Sequence, residues 1–236
     1  MNLDNPDADV PVQKTVYRRV SKEPCMFIAA SGKSKVKVVD DRVWCQKIPY
    51  PIPAIISFSL PRGWEETQKP LGAVPGQHGH QYHPKDNRRV LLRFFCSGTR
   101  GLESERSLMR SVLYEEGHLP AVDDTVLKGL VWQALDSRVL SISSTKVIDW
   151  NGRKVIECEF IADAGEEVEF DNTNVKELKG WALIYDNSDS LDPKGGGPLP
   201  ACVEFVAQDS DFMTHLQTVR FAAKTILWNK DWPPKK

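Results

Sequence analysis

The chain has 236 residues, long enough for one large domain or one domain with extensions. Hydrophobic residues at 41% and charged residues at 27% are ordinary for a globular protein and exclude wholesale disorder. Thirty-one Lys and Arg against 32 Asp and Glu leave a net charge of -1, so no global basic field exists to hold nucleic acid, and no apolar run approaches the ~20 residues of a membrane-spanning helix.

In chain order, residues 1–25 are read as a flexible N-terminal arm, since the first dozen are polar and aperiodic and carry Asp, Asn and Pro. Residues 26–228 are read as a single α+β domain and 229–236 as a C-terminal tail. Two short strands are expected at 26–30 and 36–39, separated by the turn chemistry of Ser31-Gly32-Lys33-Ser34. Pro49, Pro51 and Pro53 cannot donate to a ladder, so 48–53 is a connector. Alternation over 54–60 predicts a half-buried strand with Ile56, Phe58 and Leu60 on one face and Ile55, Ser57 and Ser59 on the other. Residues 68–88 turn polar and read as a long loop, and 89–96 reads as a strand covered on both faces.

Helical spacing follows. Leu102, Met109, Val112 and Leu113 share a face, with Glu103, Glu105, Arg106 and Arg110 toward solvent and Gly117 as the stop. A second helix is expected from an Asp123 or Asp124 cap through Val126, Leu127, Leu130, Val131 and Ala134, with Gly129 weakening it. Asn151-Gly152 demands a type I′ hairpin, because both residues accept positive φ. Counting outward pairs Asp149 with Lys154 and Lys146 with Glu157, and sets Ile156, Cys158 and Phe160 on one face. An acidic loop (163–174) precedes strands at 180–185 and 201–207. A closing helix near Ser210 carries the stripe Phe212, Leu216, Val219, Ala223 and Ile226.

The segment Phe58-Ser59-Leu60-Pro61-Arg62-Gly63-Trp64, together with the strand-then-helix ending over 203–227, resembles the Mog1/PsbP/DcrB-like fold group across roughly residues 54–228. The resemblance implies an antiparallel sheet of about six strands with helices packed on its faces. It also implies a role in binding, since members of that group include photosystem subunits, a nucleotide-release factor and secretion chaperones. It carries over no catalytic residue.

Three features bear on chemistry. His78, His80 and His83 lie within six residues, and three imidazoles can converge on one transition metal such as zinc or copper. The carboxylates Asp163, Glu166, Glu167, Glu169 and Asp171 lack calcium-loop spacing and read as a solvated turn. Among the seven tryptophans, Trp44, Trp64, Trp228 and Trp232 fall at element ends or in tails, where partly exposed indole suits a binding surface. Trp64 reads as a lid on the core edge or a contact residue; Trp228 and Trp232 are the better contact candidates. The five cysteines include no CxxC pair, and Cys96, Cys158 and Cys202 lie in apolar runs as small buried hydrophobes, favouring a reducing compartment. No phosphate-loop, dinucleotide or nucleophile-elbow motif is present. The expectation is a non-enzymatic protein-binding or accessory domain without a resident cofactor, the alternative being a metal-dependent enzyme or metal-binding protein that uses the His78/His80/His83 loop. A cytoplasmic location is expected if the chain is complete, and a periplasmic or exported one if a signal has been trimmed.

Overall fold

The computed structural model describes residues 25–29, 38–39, 42–43, 46–47, 54–61, 63–67, 78–98, 101–115, 117–188 and 197–228. The arm over 1–24, Trp44, the proline connector, Gly195, Gly196, Trp232 and the tail lie outside the described residues. In order, the strands are β1 (Cys25–Ala29), β2 (Val38–Val39), β3 (Arg42–Val43), β4 (Gln46–Lys47), β5 (Ile55–Pro61), β6 (Trp64–Thr67), β7 (His78–Pro84) and β8 (Leu91–Cys96). Helix α1 (Glu103–Arg110) runs into a π-turn (Ser111–Glu115), and α2 (Asp124–Ala134) follows. Then come β9 (Val139–Asp149), β10 (Lys154–Asp163), β11 (Glu177–Asp186), β12 (Pro200–Ala207), α3 (Asp209–Ala223) and β13 (Leu227–Trp228).

Seven strands form one antiparallel sheet in the order β6-β7-β8-β12-β11-β10-β9. Its central strands are apolar on both sides, so each face needs a cover. One face carries Tyr82, Leu92, Phe94, Trp181, Leu183, Val203 and Phe205, and it packs against α3 and β5. Phe205 stacks on Phe212 of α3 at 5.2 Å, and Phe58 of β5 stacks on Phe94 at 3.9 Å. The opposite face carries Leu91, Phe95, Ile156, Cys158, Phe160, Ala182, Ile184 and Val206 and is covered by α1, the π-turn and α2. Burying each large side chain of the α3 stripe contributes about 1.5–3 kcal/mol.

The strand over 54–60 departs from expectation. It belongs to a second sheet, β13-β5-β1-β4, laid over the first. Its Phe58 side packs on the first sheet, and Ile55, Ser57 and Ser59 on the other side are buried as well, along with Phe58 and Leu60. Leu102 is exposed and Glu105 is buried, the reverse of the helical reading. The reason is local: Glu105 Oε2 accepts the Leu102 N–H at 2.7 Å and the Gln133 amide at 2.6 Å, tying the start of α1 to the end of α2. Gly129 permits this, since a Cβ there would lie 2.2 Å from Glu105 Oε1.

The hairpin has the expected register, with Lys154 opposite Asp149 and Glu157 opposite Lys146. Asn151 and Gly152 take φ of 57° and 80°. Lys146 pairs with Glu157 at 2.8 Å, while Trp181 Nε1 and Arg220 of α3 donate to the same carboxylate at 2.7 and 2.6 Å. Burial raises the Glu157 pKa, but those three hydrogen bonds and the Arg220 charge outweigh it and hold the carboxyl below its ordinary value. Farther along, the register slips between Glu159 and Phe160 and again between Ile161 and Ala162, leaving Ser143 and Leu140 as extra residues on β9. At the hairpin tip, Trp150 Nε1 donates to Ala223 O at 2.9 Å, and Asn151 Nδ2 donates to Lys224 O and Ile226 O at 2.7 and 3.1 Å. The tip thereby satisfies carbonyls at the end of α3.

Gly180 gives the sharpest packing test. It lies directly opposite Phe160, whose ring covers it so closely that a Cβ would meet the ring at 2.2 Å. Gly180→Ala is expected to cost about 1–3 kcal/mol in a urea titration, from overpacking in a layer with no slack.

Candidate functional site

The histidine segment is a strand rather than a loop, which corrects the reading of 68–88 as unstructured throughout. Polar side chains hid it, but β7 pairs with β6 on one side and with β8 on the other. His78 opens the strand opposite Cys96. His80 and His83, three residues apart, point to opposite faces. His80 Nδ1 lies 2.7 Å from Glu66 Oε1, on the face that also carries Tyr82. His83 Nδ1 lies 2.7 Å from Pro84 O, and its Nε2 is 3.9 Å from Glu65 Oε1. A single ion cannot bridge these two imidazoles, and among the described residues no group of three His, Cys, Asp or Glu side chains is placed to hold a metal. Burial, with the Glu66 charge beside it, raises the Tyr82 phenol well above its ordinary pKa.

Two of the tryptophans expected at a contact surface, Trp64 and Trp228, are interior. Trp64 is buried at the start of β6, edge-on to His215 of α3 at 6.1 Å, and so closes the core edge. Trp228 is only 6% exposed, which corrects its assignment as an open contact residue. Its Nε1 donates to Trp150 O at 2.7 Å, its ring meets Tyr185 at 5.2 Å, and the Arg153 guanidinium lies 5.1 Å from it. A two-residue strand against β5 was too short to be distinguished from a tail.

The most concentrated chemistry was not expected. Arg93, in the middle of β8, is 2% exposed and faces Glu204 of β12, which is fully buried. Its Nη1 and Nη2 donate to the two oxygens of Glu167 at 2.9 and 2.5 Å, its Nε donates to Gln81 Oε1 at 2.8 Å, and Nη1 also reaches Ser137 Oγ at 3.1 Å. Asp136 and Glu204 each approach the guanidinium at 3.6 Å. Glu167 is therefore not part of a solvated turn; its bidentate pair pulls the acidic segment onto the sheet.

Glu204 is held differently. It accepts the Asp136 backbone N–H at 2.8 Å and touches Ser137 Oγ, while Ser137 Oγ is also 3.0 Å from Glu167 Oε1. One hydroxyl carries one proton, so both carboxylate contacts close when Glu204 itself is protonated and donates to Ser137. Burial raises the Glu204 pKa, with Arg93 opposing and Asp136 assisting. The signal for this network was present: an Arg inside Val90-Leu91-Leu92-Arg93-Phe94-Phe95 and a Glu inside Ala201-Cys202-Val203-Glu204-Phe205. A charge at the centre of a strand covered on both faces must find a counter-charge.

A smaller buried cluster sits at the end of β11. Asp186 accepts from Tyr114 Oη and from the backbone N–H groups of Ser188 and Leu199 at 2.8 and 2.9 Å. Arg153 Nη2 donates to its carbonyl at 2.7 Å. Cys96, Cys158 and Cys202 are buried free thiols, and burial raises the pKa of each.

The open chemistry lies on the α1/α2 layer. Trp132 and Leu102 are 63% and 65% exposed. They adjoin Gln133 and Gly101, which meet at the Glu105 tie, where a Cβ on Gly101 would lie 1.9 Å from Gln133 Oε1. Between α1 and the start of α2 runs a groove of about 350 Å³, lined by Ser104, Ser107 and Ser111 of α1 and its π-turn and by Pro120, Val122, Asp123 and Val126. No helix among the described residues is long and apolar enough to cross a membrane.

No family model matches the chain, and no curated protein sequence matches it. Among solved structures it is similar to the cyanobacterial PsbP protein (CyanoP) of Synechocystis sp. PCC 6803, at 12% identity and a TM-score of 0.43, over 73% of this chain and 86% of that one. The fold resembles PsbP weakly.

The network generates two expectations. Arg93→Met is expected to destabilise the chain by about 3–5 kcal/mol in denaturant titration, because it removes the bidentate counter-charge of the buried Glu167 carboxylate. The Glu204 pKa is raised above its ordinary 4.5, so the stability this group lends is full below that value and is lost as pH rises through the folded-state pKa. Urea midpoints across a pH series should therefore fall more steeply toward alkaline pH in the wild type than in Glu204→Gln; parallel curves would show that Glu204 is already ionised.

Proposed function

We propose that the chain is a non-enzymatic binding domain that docks an apolar protein segment with basic flanks on its α1/α2 layer. The observation that carries this reading is the exposure of Trp132 and Leu102, each next in the chain to a residue packed at the Glu105 tie, on helices whose opposite sides are anchored in the core. A rigidly mounted indole gives large contact area at little entropic cost. The groove between α1 and the start of α2 has apolar walls at Leu108, Pro120, Val122 and Val126, with serine hydroxyls along one rim. Asp123 and Asp124 stand exposed at the start of α2, and this charge favours Lys or Arg on the incoming segment.

Panning a displayed random-peptide library against the full chain tests the reading. Peptides with an aromatic or aliphatic centre and basic flanks are expected to be enriched. Their affinity should fall about tenfold or more for the double variant Leu102→Ala, Trp132→Ala, equivalent to roughly 1.4 kcal/mol. Both side chains lie outside the core, so the variant is expected to keep the wild-type denaturation midpoint. Equal affinity for the two proteins, or no enrichment, overturns the reading.

A further inference from the structure

We infer that Asn151-Gly152 is a deamidation site gated by its own docking, so that conversion at Asn151 is a one-way release of the hairpin tip from the end of α3. The chemistry is intramolecular. The Gly152 nitrogen loses its proton and attacks Cγ of Asn151, the Cγ–Nδ2 bond breaks, and that nitrogen leaves as ammonia with the proton. Water then opens the five-membered imide at one or other carbonyl, giving aspartate or isoaspartate, so the net change is amide plus water to acid plus ammonia. Glycine after the asparagine puts no Cβ in the path of attack, and the space around Gly152 is open: a Cβ there would meet nothing within 4 Å. Both residues are solvent-exposed. The Gly152 N–H already donates to Asp149 Oδ1 at 2.7 Å, which sets a carboxylate on the proton that must be removed.

Docking opposes all of this. The Asn151 amide nitrogen, which must leave, donates to Lys224 O at 2.7 Å and to Ile226 O at 3.1 Å. Those two bonds fix the carboxamide toward the end of α3. Trp150 Nε1 on Ala223 O, with Trp150 O accepting from Trp228 Nε1, holds the tip against the same segment. Attack on Cγ requires the amide to let go, so the reaction follows opening of the tip rather than exposure of the pair. After conversion, a group that donated to two carbonyls becomes a carboxylate facing them. Acceptor then opposes acceptor and the closed arrangement cannot re-form, which loosens 224–226 and the strand β13 that follows directly.

The full-length protein is held at mildly alkaline pH, folded or in urea, and conversion at Asn151 is followed by peptide mapping and mass spectrometry. Conversion is expected to be slower in the folded chain by about tenfold or more, since only the open fraction reacts. Trp150→Phe, which removes one tip bond and leaves Asn151-Gly152 untouched, should raise the folded-state rate toward the urea rate. Independently, Asn151→Asp should show faster amide hydrogen exchange over 224–228 than the wild type. Equal rates in the folded and unfolded chain, no conversion in urea, or wild-type exchange in Asn151→Asp each overturn the inference.

Discussion

The two strands at the middle of the large sheet, β8 and β12, are buried at every residue and so on both faces, and that requirement organises the molecule. Along β11, Trp181, Leu183 and Tyr185 enter one core while Ala182 and Ile184 enter the other. Two separate covers are then obligatory, and the chain supplies them from distant stretches: α1 and α2 for one face, α3 and β5 for the other. Because both covers pack on the same strands, a charged group placed at mid-strand has no route to water. It must be neutralised where it stands.

Arg93 and Glu204 are the outcome of that constraint. The guanidinium gathers Glu167 from the acidic segment, Gln81 from β7 and Ser137 from the link between α2 and β9, so a polar centre fastens three connections that hydrophobic packing alone would leave loose. Its geometry serves cohesion. The contrast with the α1/α2 layer is instructive, since large apolar side chains there are displayed to solvent on a rigid base.

The parts of this fold legible in the sequence are those where local chemistry and long-range burial agree. The hairpin is one, because turn geometry, charge pairing and the apolar row all require the same register; α3 is another, since Phe212, Val219 and Ala223 repeat at helical spacing and meet a single surface. Disagreement hid the rest. β7 reads as a loop because His80, Gln81 and His83 are polar, yet each is buried with a hydrogen-bond partner supplied by a different element or by the chain itself. Ser57 and Ser59 look like a solvent face, yet both are buried in a sheet where β5 pairs with β1 and β13, a pairing no alternation pattern encodes. The Glu105 reversal has the same origin: its partners, Leu102 and Gln133, belong to two helices.

The two extra residues on β9 have a consequence for how copies of this chain can meet. An eleven-residue border strand is ordinarily an invitation to fibrous growth, each molecule templating the next through unsatisfied amides. At Ser143 and Leu140 the rim buckles, so an approaching backbone falls out of step before it can zip along the whole length, and Lys146 farther on adds a desolvation toll. Growth through this border is therefore interrupted at two points along its length.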